Sequence, residues 1–262
     1  MKIAYIGIDL LVSALYSLYK NKCDVVEIYT CKTDNKTEFN TKVTDFAKKH
    51  NIPIKFSPIS ESDLLNLKQN GVDFIFSAGY YHKIPTSVDI PIINIHPSLL
   101  PEGRGAWPMP IYLLNNKKSA GVTIHKVVDK LDCGDIVLQK EFLLSSKDNH
   151  QTFMKKVDKC IKQLIPVLLN NFFDLYNNAD AQSDGSYWEM PQKSDFTVSE
   201  NMSFEEIDNV FRAFYGYEVF YTDGENEYEL IFASIKKRKS FFKKVFKTIP
   251  QGYVYAKSIK KL

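Results

Sequence analysis

Through the first 140 residues, short apolar runs alternate with helix-spaced segments, and few architectures accept that order. Ile3 to Ile8 is an apolar run, Leu10 to Tyr19 has helical spacing, and Val25 to Thr30 is a second apolar run. Phe39 to His50 is helical and leads into Pro53-Ile54-Lys55-Phe56. Ser60 stands as an N-cap for Asp63 to Gln69, and Val72 to Ala78 reads as a buried strand. Ile92 to Ile95, Gly121 to Val127 and Ile136 to Phe142 are further strands. Alternation with short links predicts an α/β protein with an open, mostly parallel sheet and helices on both faces. Asn149 to Tyr176 then predicts one long helix. Asn177 to Ser186, rich in Asn, Asp, Ser and Gly, predicts a linker. Ser203 to Phe214 reads as a helix with a Ser203–Glu206 capping box, followed by short β-like runs. The expected organisation is a main domain over residues 1–180. Residues 181–262 would hold the linker, a helix and a small basic β-containing subdomain.

Composition narrows the class. Apolar content of 44% and charged content of 25% over 262 residues are ordinary for a globular protein with a sizeable core. Leu164 to Leu169 is too short to span a bilayer, so no membrane role is expected. Met1-Lys2-Ile3-Ala4-Tyr5-Ile6-Gly7 reads as a first strand rather than a signal peptide, which points to the cytoplasm. Cys23, Cys31, Cys133 and Cys160 are scattered without a Cys-x-x-Cys pair, so reduced thiols and no metal are expected. The charge is uneven. Lys236 to Leu262 holds ten of the 34 basic residues and no acid, leaving 24 basic against 31 acidic elsewhere. Such an end suits a polyanion, or it is a solvated edge. Aromatic content of 13% leaves material for a homodimer interface.

The residues that carry chemistry begin at Asn94-Ile95-His96-Pro97-Ser98-Leu99-Leu100-Pro101. Pro97 cannot extend a strand's hydrogen-bond ladder, so the strand ends at its threshold. Side chains alternate along a strand, so Asn94 and His96 project to one side, at the carboxyl end where open α/β sheets place their sites. Gly103-Arg104-Gly105 follows, then Gly121-Val122-Thr123-Ile124-His125 and Leu131-Asp132-Cys133-Gly134-Asp135-Ile136. Asp132 is a plausible carboxylate partner, with Asp129 and Asp135 as neighbouring competitors.

This ordered combination resembles the 10-formyltetrahydrofolate-dependent formyltransferases, over roughly Met1 to Phe142 and more loosely to Phe214. The resemblance implies a Rossmann-like catalytic domain, 10-formyltetrahydrofolate as co-substrate and no metal. It also implies Asn94, His96 and Asp132 as the catalytic residues. Formyl transfer is attack by an amine on a formamide carbon through a tetrahedral oxyanion. A side-chain amide aimed at that charge can lower the barrier by about 2.7–4 kcal/mol. His96 either takes the proton from the amine or, as imidazolium, stabilises the oxyanion. Asp132 would hold the imidazole and pass a proton to the leaving nitrogen, and a carboxylate so near is expected to raise the His96 pKa. By the same resemblance, Gly79, Tyr80 and Tyr81, with Val127 and Leu131, border the pterin. Arg104, Gly105 and Trp107 belong to the family's Arg-Gly loop near the acceptor. His125 reads as a structural residue or pocket wall.

Absences guide the choice of acceptor. Gly7-Ile8-Asp9-Leu10-Leu11 lacks the phosphate loop of glycinamide ribonucleotide formyltransferases. Thr30-Cys31-Lys32-Thr33-Asp34-Asn35 leaves no room for the long basic insertion of methionyl-tRNA formyltransferases, and their full oligonucleotide-binding-like carboxyl domain is expected to be only half built here. Thr33-Asp34-Asn35 and the compact loop are more similar to the sugar N-formyltransferases. The expected partner is therefore a nucleotide-diphosphate amino sugar for lipopolysaccharide O-antigen biosynthesis, rather than nucleic acid. Phe241, Phe242, Phe246, Tyr253 and Tyr255 of the basic end would supply stacking faces for a base. The alternatives are a methionyl-tRNA formyltransferase-like enzyme and a non-catalytic folate- or nucleotide-binding module.

Overall fold

The computed structural model describes residues 1–34, 39–240 and 243–262. Asn35, Phe241 and Phe242, singled out above, lie outside the described residues. β1 (Lys2–Gly7), β2 (Asp24–Tyr29), β3 (Ile54–Lys55), β4 (Phe74–Ala78), β5 (Ile92–His96), β6 (Ser119–Lys126) and β7 (Ile136–Leu143) form one sheet. Its order is β3-β2-β1-β4-β5-β6-β7. The first five strands pair in parallel, and β6 runs antiparallel to β5. α1 (Ser13–Lys20), α2 (Thr41–His50) and α3 (Glu61–Gln69) provide crossovers that parallel neighbours require. The mostly parallel sheet and flanking helices are those expected from the alternation of apolar runs.

The chain divides into two compact units that interleave in sequence. One holds residues 1–104, 121–141 and 157–187; the other holds 105–120, 142–156 and 188–262. No single cut near residue 180 separates them, because α4 (Pro108–Leu114) packs with α7 (Phe204–Ala213) in the second.

In the first unit, Ile3 to Ile6 and Phe74 to Phe76 are fully buried, as strands covered on both faces must be. Ala4, Ile6, Tyr29, Ile75 and Ile92 share a cluster with Leu64 and Leu67 of α3. A capping box opens α3: Asp63 N donates to Ser60 Oγ at 3.2 Å and Ser60 N to Asp63 Oδ2 at 2.9 Å. Three local expectations are corrected. Leu10 to Tyr19 is not one helix, because Asp9–Leu11 form a 3-10 turn before α1. That turn frees the Asp9 carboxylate to cap α2, accepting from Lys42 N and Val43 N at 3.0 Å each. Asn149 to Tyr176 is two helices, α5 (His150–Asn170) and α6 (Phe172–Asn177). Asn171 breaks them at φ −139, and Phe172 then stacks on Phe74 with ring centroids 4.0 Å apart. Asn177 to Ser186 is not a free linker. Asp180 and Ile136 exchange backbone bonds at 2.7 and 2.9 Å, and Ser186 N donates to Pro101 O at 3.2 Å. Its short polar side chains let the segment lie flat as a strap.

The second unit carries two small sheets. β8 (Thr197–Ser199), β9 (Glu218–Thr222), β10 (Glu227–Ile231) and β14 (Ser258–Lys261) form one, in the order β14-β10-β9-β8. β11 (Ser234–Lys236), β12 (Lys247–Ile249) and β13 (Gly252–Tyr255) form the other, in the order β11-β13-β12. α7 starts at the expected box, with Glu206 N donating to Ser203 Oγ at 3.2 Å and Ser203 N to Glu206 Oε2 at 2.7 Å. Aromatic rings fill the space: Tyr112 packs on Phe153 and Trp188, and Trp107 on His150, Phe214 and Tyr217. Among the described residues no helix is long and apolar enough to cross a membrane.

His150 is buried and its Nε2 has no hydrogen-bond partner among the described residues. Burial pushes its pKa down from 6.5 to about 4. The unfolded chain binds this proton below pH 6.5 while the folded chain refuses it until about pH 4. Stability therefore falls as pH drops through that window, by about 3 kcal/mol for a shift of this size. Urea denaturation at pH 7 and pH 4.5 measures the loss, and His150→Leu should shrink it.

Candidate active site

Strand periodicity and one antiparallel pairing build the site. Ile93 and Ile95 turn to one face of β5 and are buried; Asn94 and His96 turn to the other. β6 lies beside β5 with Asn94 opposite His125 and His96 opposite Thr123. Side chains directly opposite on one face are in reach of each other. Asn94 Nδ2 accordingly donates to His125 Nε2 at 3.1 Å. His125 Nδ1 donates to Lys126 O at 2.8 Å, which leaves Nε2 as the acceptor. That bond fixes the Asn94 amide with its nitrogen toward β6. His125 thus does more than wall a pocket. Its role follows from the β5–β6 register, which two separate sequence motifs do not reveal.

His96 is 5% exposed and donates from Nε2 to Gly103 O at 2.8 Å. Its Nδ1, left as the lone-pair nitrogen, faces Asp132 Oδ2 at 3.8 Å. Asp132 Oδ1 is 3.5 Å from His125 Nε2, so one carboxylate stands before both imidazoles. The expectation of a raised His96 pKa is overturned. Burial is the largest influence and lowers it from 6.5; Asp132 and the Gly103 carbonyl pull it up, and His125 pushes it down, without reversing the sign. At 3.8 Å the carboxylate is beyond direct hydrogen bonding, so its attraction does not repay the lost hydration of an imidazolium. The net direction favours the neutral imidazole.

The Asp132 loop is locked by backbone contacts. Asp132 takes φ 52, a left-handed conformation uncommon outside glycine. A Cβ on Gly134 would lie 2.0 Å from Lys126 O, so only glycine lets this turn press on β6. Gln182 of the strap donates from Nε2 to Asp132 O at 2.9 Å and Gly134 O at 2.6 Å. The same Gln182 accepts from Arg104 Nε and Nη2 at 3.1 and 2.9 Å, and Arg104 Nη2 also donates to Ser183 O at 3.0 Å. The Arg104 guanidinium therefore ties the Arg-Gly loop to the strap. Thr123 Oγ1 donates to Ser98 O at 2.7 Å and accepts from Gln139 Nε2 at 2.8 Å, which steadies the turn after His96. Sequence reading passed over Gln182 and Gln139, since isolated glutamines carry no motif.

The other sequence-derived residues are distributed as follows. Gly79 takes φ +67 at the end of β4. Tyr80 accepts at its hydroxyl from Ile59 N at 3.1 Å and packs against the first unit's core. Tyr81 and Leu131 are 50% and 55% exposed, and Val127 is half-buried with its N–H on Ile92 O. Gly105 and Trp107 belong to the second unit, where Trp107 precedes α4. A cavity of about 440 Å³ at the carboxyl ends of β2, β3 and β4 is lined by Lys32, Phe56, Ser57, Pro58 and His82. No group of three or more His, Cys, Asp or Glu among the described residues is placed to hold a metal. Asp132→Asn removes the attraction that raises the His96 pKa, so an NMR titration of that ring should place its midpoint below 6.5 in the wild type and lower still in the variant.

The sequence pattern of the formyl transferase family matches residues 2–169. The methionyl-tRNA formyltransferase of Thermotoga maritima is 31% identical over 231 residues, covering 82% of this chain and 72% of that protein. That of Lactobacillus johnsonii is 32% identical over 180 residues, covering 65% of this chain but 57% of the relative's length. An N-formyltransferase from Helicobacter canadensis, solved with folinic acid and dTDP-3-aminofucose, superposes with a TM-score of 0.70 at 17% identity. That match covers 100% of this chain and 99% of the other. At such identity the likeness speaks for the fold alone. With the family pattern running through the whole of β1 to β7, this chain belongs to the formyl transferase family.

Proposed function

We propose that this protein transfers a formyl group from 10-formyltetrahydrofolate to the amine of a nucleotide-linked amino sugar. The observation that carries the reaction is the cluster of Asn94, His96, His125 and Asp132 at the carboxyl end of β5. The amine attacks the formyl carbon and gives a tetrahedral oxyanion. Asn94, held by His125, donates its second N–H to that oxygen. Neutral His96 accepts at Nδ1 the proton that the attacking nitrogen loses. Asp132, 3.8 Å away, is spaced for a bridging group through which a proton passes to the leaving folate nitrogen. The carbon–nitrogen bond to folate then breaks, giving the formamide and tetrahydrofolate. No step calls for a metal.

The co-substrate's heterocycle is assigned to the face formed by Gly79, Tyr80, Tyr81, Val127 and Leu131. The exposed apolar side chains of Tyr81 and Leu131 support this, since a planar ligand would cover them. The loop Arg104-Gly105-Trp107 is assigned to the acceptor side, with Arg104 setting its path. One observation favours a sugar: only residues 30–40 connect β2 to α2, too few for a long basic insertion. Asp9, which follows β1 and caps α2, puts a carboxylate in the turn after β1, where a phosphate would meet a like charge. A methionyl-tRNA acceptor is the second reading, favoured by the names of the Thermotoga maritima and Lactobacillus johnsonii relatives.

The test mixes the protein with 10-formyltetrahydrofolate and thymidine-, uridine- or guanosine-diphosphate amino sugars, with formylatable methionyl-tRNA in a parallel reaction. Mass spectrometry should detect one added formyl group on a sugar. A product on tRNA alone would replace the first reading by the second. His96→Ala should reduce turnover by about 10²–10⁴-fold while leaving folinic acid binding intact. Asn94→Ala should cost about 10²–10³-fold. Unchanged turnover in His96→Ala would remove the residue from the chemistry.

A further inference from the structure

The second unit contains a cavity of about 420 Å³ lined by Tyr215, Phe232, Lys243, Lys244, Ala256 and Lys257. It lies where the chain crosses between the two small sheets. Phe232 links β10 to β11, and Ala256 and Lys257 link β13 to β14. Both aromatic walls are delivered by unusual backbone. Gly216, next to Tyr215, takes φ +103, and Phe232 itself takes φ 55, a conformation that aromatic residues rarely adopt. The result is a fixed edge-to-face pair with ring centroids 5.2 Å apart. Lys257 Nζ lies 5.4 Å from the centre of the Phe232 ring.

Among the described residues the lysines here have no carboxylate partner. Elsewhere in the basic end, Lys247 is spent on Asp223 and Glu200, and Lys260 on Glu229. Lys243, Lys244 and Lys257 are exposed and pair with no carboxylate among the described residues. The aromatic residues named from sequence as stacking faces are in large part engaged. Tyr255 is buried and its hydroxyl accepts from Ser240 N at 2.7 Å; Phe246 packs on Tyr221 and Tyr228. Tyr215 and Phe232, outside the basic tail's aromatic series, are the rings that face the lysines.

Three ammonium groups beside an aromatic wall match a ligand with linked phosphates and a planar base. One phosphate monoester carries a charge of about −1.5 to −2, so three lysines suit two linked phosphates better. The cavity volume falls in the range of small-molecule sites, about 300–1,000 Å³. We propose that this cavity binds a nucleoside diphosphate, with the base against Tyr215 and Phe232 and the phosphates on Lys243, Lys244 and Lys257. The inference rests on the second unit alone and holds whichever acceptor receives the formyl group.

Lysine acylation by an N-hydroxysuccinimide ester, read by peptide mass spectrometry on the full chain, localises the test. Thymidine diphosphate should protect Lys243, Lys244 and Lys257 while Lys20 and Lys48, exposed in the first unit, stay reactive. The concentration that half-protects Lys257 should rise about 10–100-fold in the Lys243→Glu/Lys244→Glu double variant, the loss expected for charge-assisted bonds. Tyr215→Ala should raise it about tenfold through lost stacking. Protection by thymidine diphosphate-glucose as well as by thymidine diphosphate supports the site and shows that it takes the sugar-linked form. Protection by free thymidine diphosphate alone supports it for the free nucleotide. Equal protection by pyrophosphate, unaffected by Tyr215→Ala, overturns the nucleotide assignment. So does protection by an RNA oligonucleotide without protection by the diphosphate. Unprotected lysines with every probe overturn the site itself. The labelling needs no formyl transfer, so its failure is separate from failure of the proposed reaction.

Discussion

The antiparallel pairing of β5 with β6 is the constraint on which the candidate site depends. Every preceding neighbour in the sheet is parallel, and a parallel β6 would present a different set of residues to Asn94 and His96. The reversal sets Asn94 against His125 and His96 against Thr123, so four polar side chains share one face. His125 then holds the amide and Thr123 the turn after His96, while Asp132, from the loop after β6, faces both imidazoles.

Burial decides the electrostatics of that face. A carboxylate at 3.8 Å favours imidazolium, but removing a cation from water inside the unit costs more than the attraction returns. The balance at His96 consequently tips toward the neutral imidazole, with Nδ1 toward Asp132. The competition between a nearby charge and desolvation is invisible in a sequence, where proximity can be guessed but solvent access cannot. His150 shows the same effect in the second unit, where burial alone lowers the pKa.

The strap from Asn177 to Ser186 shows how composition misleads. Its Asn, Asp, Ser and Gly residues read as a linker, because such residues favour turns over regular structure. Those same short side chains let it lie against Pro101 and Gly103 and carry Gln182 to the Asp132 loop. Arg104 reaches the strap rather than standing alone in its loop. The motif-bearing loops thus owe their positions to a segment without a motif of its own.

The sequence by itself determined the alternation of strands and helices, the carboxyl-end location of Asn94 and His96, and the caps at Ser60 and Ser203. All of these are local: periodicity, proline placement and backbone sterics act within a few residues. Tertiary structure alone decided that His125 meets Asn94, that burial lowers the His96 pKa, that Asp9 caps the distant helix α2, and that α4 joins the carboxyl-terminal unit. It also chose which lysines of the basic end meet carboxylates, giving Lys247 its partners and placing Lys257 beside Phe232. These outcomes depend on register, burial and charge between segments distant in the chain, and no local pattern encodes which distant segment arrives.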